Sequence, residues 1–163
     1  MIIAVDPGQS GAIAHMHEDG RFCCVHDMPV VDKRVNAYLF AELVRRLKNE
    51  SGEPCRAIVE KVAAMPKQGV SSTFVFGAGY GVVLGVLAAL RVPTGLVTPA
   101  EWKRKMRLSK SKEASRAECL KLFPDAVQML QRKKDEGRAE AILLGFYVAR
   151  LQKQHNPEVS GAT

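Results

Sequence analysis

No two of the four cysteines in this 163-residue chain, Cys23, Cys24, Cys55 and Cys119, stand in a C-x-x-C spacing. Neither a zinc ribbon nor a disulfide framework is encoded, and free thiols in a reducing compartment are expected. His15, His17, His26 and His155 form no His-Glu-x-x-His or His-x-x-Glu-His arrangement, so zinc hydrolysis has no basis. A Walker sequence and a nucleophile elbow are absent. The run GAGYG at 77–81 lies inside a helical pattern instead of following a strand, which excludes a dinucleotide fingerprint. No nucleotide cofactor is expected. The opening MIIAVDPG has no basic segment and reaches an Asp and a Pro within seven residues, unlike a signal peptide. There is no internal repeat.

Long apolar runs are nearly absent too. The exception is Phe74 to Leu90, 17 uncharged residues with Gly77, Gly81 and Gly85 spaced four apart, as in packed membrane helices. That length is marginal for a bilayer and no second span accompanies it. The expectation is a core helix whose glycine face lets a sheet or another helix approach closely, with no membrane partner.

What is present is basic charge in one place. Lys and Arg number 24 against 17 Asp and Glu, a net charge of +7. Twelve bases and five acids fall between Lys103 and Arg138, so this segment alone accounts for +7 and the other 127 residues are balanced. Such a charge favours polyanionic partners. With 47% hydrophobic and 25% charged residues the chain suits one globular domain, assigned to 1–153, followed by a flexible tail, 154–163.

The first 28 residues read as a meander: MIIAVD, a PGQSG turn, GAIAHMHE, an EDG hairpin signal and RFCCVHDM. Asn36 to Lys48 has the apolar spacing of an amphipathic helix with Asn36 as cap, and AIVE at 57–60 is a buried-looking strand. The glycine helix follows from about Thr73, then a strand at Val92–Val97. Thr98-Pro99-Ala100-Glu101 offers a helix start, with Thr as cap and Pro in the first turn. Two further helices follow, one from about Lys112 towards Pro124 and one from about Arg138. The order β-β-β-α-β-α-β-α-α-α is mixed α/β.

Three acids stand where acids are costly. Asp6 and Glu60 each end an apolar strand, and Glu140 shares a helix face with Leu143, Leu144 and Tyr147. Glu136 lies one turn below Glu140, while Asp135 is rotated off that face and would suit a cap. Converging carboxylates repel one another, and hard divalent cations relieve that repulsion through oxygen ligation. Beside a basic segment, this pattern points to metal-assisted attack on phosphate diesters.

Taken in order, IIAVDPGQSGA, AIVEKVAAMP, FGAGYGVVLGVLAAL, VTPAEWK and KKDEGRAEAILLGFY resemble the RuvC-like Holliday junction resolvases, particularly compact phage and prophage forms, over residues 1 to 150. The resemblance implies an RNase H-like fold: a five-stranded mixed sheet, an antiparallel β1-β2-β3 meander plus two parallel strands, flanked by helices. It implies a homodimeric, structure-selective crossover junction endodeoxyribonuclease of the bacterial or phage-infected cytoplasm. Paired two-metal phosphodiester hydrolysis of four-way DNA would leave 5′-phosphate ends, with Mg²⁺, or Mn²⁺ in its place.

By the same resemblance Asp6, Glu60 and Glu140 are catalytic metal ligands, with Glu at 140 where relatives commonly have Asp. The usual Asp or His three residues before that acid is Gly137 here, so either Asp135 or Glu136 is expected as fourth ligand. Lys103, Arg104, Lys105, Arg107, Lys110 and Lys112 are expected on backbone phosphates. Lys133, Lys134 and Arg138, with Arg132, would flank the scissile phosphate, and Lys67 and Gln68 would face the junction centre. The helix Phe74–Leu90 would lie at or near the dimer interface. The alternatives are a broader flap, fork or Y-junction nuclease, and a catalytically weakened junction-binding protein.

Overall fold

The computed structural model describes residues 1–63, 69–109 and 112–155, without the side chains of Lys112, Lys133, Lys153 and His155. Five strands form one sheet: β1 (Ile2–Val5), β2 (Ala12–Met16), β3 (Phe22–Asp27), β6 (Arg56–Glu60) and β7 (Thr94–Val97), in the order β3-β2-β1-β6-β7. β1, β2 and β3 pair antiparallel, whereas β6 runs parallel to β1 and β7 parallel to β6. A small hairpin not foreseen in the sequence, β4 (Val30–Val31) with β5 (Arg34–Val35), leads into helix α1 (Ala37–Ser51). Two-residue strands are too short for alternation to reveal them.

Alternating side chains divide the core between two faces of the sheet. Ile3, Val5 and Ile13 pack with Phe40, Val44 and Leu47 of α1 and with Val83 and Leu87 of α2 (Val70–Ala89). On the other face Ile2, Ala4, Ala12 and Ala14 meet Ile142, Leu143 and Tyr147 of α5 (Glu136–His155), joined by Trp102 of α3 (Pro99–Lys105) and Cys119 of α4 (Lys112–Leu122). α5 therefore spans the sheet, and its first turn meets the loop that follows β1.

Local signals account for the helix starts. Asn36 accepts from the Leu39 backbone N–H, and Thr98 from that of Glu101 beside Pro99. α2 departs from expectation. Only Gly79, Val83 and Leu87 are buried, and Gly79 is the glycine that meets a neighbour, its Cβ position lying 3.0 Å from Val35 Cγ2. Gly77, Gly81 and Gly85 face nothing within 4 Å. The fourfold spacing correctly marks one helix face, but that face points away from the core. α2 is also long and apolar enough to cross a membrane by length and composition.

Candidate active site

Asp6 leaves β1 at a turn built by close backbone approach. Its N–H donates to Ala12 O, and its Oδ1 lies 3.5 Å from the Gly8 N–H. A Cβ at Gly11 would sit 2.2 Å from Asp6 O, and one at Gly137 would sit 2.3 Å from Ser10 O. The turn is thus clamped between β2 and the first turn of α5. No side chain fits at position 137, which explains in steric terms why an acid three residues before Glu140 is missing.

Glu60 ends β6, the strand beside β1, and accepts a hydrogen bond from the buried Trp102 indole at 2.7 Å (Nε1 to Oε2). Glu140, on the second turn of α5, accepts from Lys103 Nζ at 2.5 Å and from the buried Ser115 hydroxyl at 3.2 Å, both on Oε1. Two neighbouring strand ends and one helix therefore bring three carboxylates together from opposite ends of the sequence. Lys103 is the cation that acts on all three.

Among the described residues that single cation leaves the set short of positive charge. Burial, reinforced by Glu60 and Glu140, pushes Asp6 up to about 7, against smaller opposing effects of the Gly8 N–H and Lys103. Glu60 is also raised, first by burial; Trp102 and Lys103 pull it down and Glu140 pushes it up. Carboxylates held this way favour a bound proton or a bound cation. The donors are all oxygen, which fits a hard divalent ion by chemistry. Among the described residues, however, no group of three His, Cys, Asp or Glu side chains closes on one metal-sized point.

Asp135, one of the two acids expected as a fourth ligand, is held by an arginine in this structure. Asp135 is 2% exposed, and its carboxylate accepts from the Arg132 backbone N–H, Nε and Nη2 at 2.8, 2.9 and 2.7 Å. Arg138 lies 4.0 Å away and forms two hydrogen bonds to Asp27 at the end of β3. Burial raises Asp135, yet the Arg132 hydrogen bonds outweigh it and hold the acid below its ordinary range. Arg138 is correspondingly a partner of Asp27. Glu136, half-buried at the first residue of α5, is the remaining acid of that turn.

Of the other basic residues, Lys103 is turned onto Glu140, whereas Arg104, Lys105, Arg107 and Lys134 are exposed. Lys67, Gln68 and Lys110 lie outside the described residues, as do the side chains of Lys112 and Lys133 and the tail beyond His155. Sequence reasoning missed Trp102 and Ser115 as partners of the acids. A lone tryptophan beside a helix cap was the available signal for the first, and no spacing marks the second.

A mixed five-stranded sheet in the order β3-β2-β1-β6-β7, with helices on both faces, belongs to the RNase H-like class of folds. Within it, solved structures of RuvC match over nearly the whole chain. T. thermophilus RuvC in complex with Holliday junction substrate is 14% identical, with a TM-score of 0.62 over 92% of this chain and 94% of that one. Thermus thermophilus RuvC in a second structure is 15% identical, with a TM-score of 0.58 over 93% of this chain and 96% of that one. No protein-family model matches the sequence, and no curated protein sequence matches it. The chain has the RuvC fold.

Proposed function

We propose that this protein is a structure-selective endodeoxyribonuclease that cuts four-way DNA junctions, with Asp6, Glu60 and Glu140 as its cation-holding acids. The observation behind this reading is the three-carboxylate set itself, half-buried, facing one cation among the described residues, and built at two strand ends and on the helix beside them in a RuvC fold. A divalent cation, Mg²⁺ or Mn²⁺, would be held by these three acids and would supply activated water and charge neutralisation at the phosphate. Of the two acids expected to serve a second ion, Glu136 opens the helix that carries Glu140.

The chain's own residues divide the remaining work. Asp6 sits on a clamped turn and Glu60 on a strand end, so both present oxygens from rigid backbone. Lys103 neutralises Glu140 in the free protein and lies on the same short helix as exposed Arg104 and Lys105. Those two, with Arg107 and Lys134, suit contacts to backbone phosphates that read shape and charge more than base sequence. The open glycine face of α2, with exposed Val70 and Phe74, suits a second copy of the chain, and two copies would supply the two cuts a junction needs.

The test is incubation with a synthetic four-way junction, a flap, a Y-junction and a linear duplex, each with Mg²⁺ or with chelator. Paired, Mg²⁺-dependent cuts in the junction are expected. Equal cutting of the flap and Y-junction would replace junction resolution with a broader branched-DNA nuclease, and binding without cutting would leave a junction-binding protein.

A further inference from the structure

Trp102 is the single tryptophan of the chain and is fully buried, yet its indole N–H is spent on Glu60 and not on a backbone carbonyl of the core. We propose that Trp102 is the positioning residue of the acid set, clamping one oxygen of Glu60 so that the other faces the cation. The inference rests on the metal-centre reading above and adds a residue to it.

Three observations support the assignment. The first is register: Glu60 pairs with Val97 across β6 and β7, and Thr98 and Pro99 begin α3 immediately after Val97. A capped helix start beside the acid's own strand partner therefore delivers the indole at a fixed height. The second is chemistry. An indole N–H donates and cannot accept, so it stabilises an ionised carboxylate without supplying a charge that would compete with a cation. Lys103 does the opposite at Glu140, where its ammonium already supplies the charge. The third is packing: Trp102 lies in the core shared with α5, so its ring has no freedom to follow a wandering Glu60. Outer partners of this kind fix the orientation of a ligand and thereby set metal affinity.

The experiment uses the intact protein without DNA and reads Mn²⁺ binding by electron paramagnetic resonance, together with tryptophan emission during Mg²⁺ addition. Trp102→Phe, which keeps an aromatic ring and removes the N–H, is expected to bind Mn²⁺ about tenfold more weakly. In a Glu60→Gln background the same change should have no further effect. Emission from native Trp102 should change saturably with Mg²⁺ and should stop responding in Glu60→Gln; this measurement needs no tryptophan variant to fold. Unchanged Mn²⁺ affinity in Trp102→Phe, or a persisting Mg²⁺ response in Glu60→Gln, overturns the positioning role while leaving the metal reading standing. Failure of the unmodified protein to take up Mn²⁺ overturns the metal reading and this inference with it.

Discussion

Two groups of carboxylates meet the start of α5, and they are opposites in charge balance. Asp27 and Asp135 face Arg132 and Arg138, two acids against two guanidiniums, and both acids are held below their ordinary range. Asp6, Glu60 and Glu140 share Lys103, and two of them are pushed upward. The balanced group is paired within the fold, where Arg138 of α5 fastens onto Asp27 at the end of β3. The unbalanced group has one cation for three acids among the described residues, and on the proposed function that deficit is where a cation and a phosphate would go. Asp135 and Glu140, five residues apart in sequence, therefore stand in groups of opposite charge balance.

The largest expected effect comes from removing a member of the unbalanced group. Asp6→Asn, Glu60→Gln or Glu140→Gln should each reduce junction cutting by at least about a hundredfold with junction binding retained, as gel-based cleavage and mobility-shift assays would register. Asp135→Asn should behave differently. Losing charge-assisted hydrogen bonds at a buried site should lower stability by about 1–2 kcal/mol in thermal melts, while cutting per folded molecule stays near normal.

The balance can also be read through pH. In chelator, Asp6 should titrate near 7 when folded and near 3.8 when unfolded. Below about pH 4 the carboxyl is protonated in both states, so wild type and Asp6→Asn should melt alike. Between about pH 4 and 7 the unfolded chain releases this proton while the fold retains it, so wild-type stability falls relative to the Asn variant. Above about pH 7 the gap is complete, at most about 4 kcal/mol in favour of Asp6→Asn. Parallel melting curves at every pH would remove the claim that Asp6 is held in an unbalanced site. The smallest effect is on DNA affinity: replacing Arg104 and Lys105 by Ala should flatten the salt dependence of junction binding by about one unit of slope per lost phosphate contact.

Much of this comparison was visible in the sequence, because Asp6, Glu60 and Glu140 each break a local rule: an acid where the pattern calls for an apolar residue. The meander and the Asn36 and Thr98 caps were visible for a similar reason, since each depends on neighbours a few residues away. The balanced group was not. Arg138 finds Asp27 across 111 residues, and nothing near Asp135 announces that Arg132 will fold back onto it. Gly137 reads as a missing ligand until the Ser10 carbonyl is seen against it, and the glycines of α2 read as packing sites although three of them face outward.

The most direct measurement sets Asp6→Asn and Asp135→Asn side by side on a synthetic four-way junction with Mg²⁺, each corrected for folded fraction. The predicted result is lost cutting in Asp6→Asn and near-normal cutting in Asp135→Asn. Lost cutting in Asp135→Asn with an unchanged melting temperature, or undiminished cutting in Asp6→Asn, would contradict the division of the two groups.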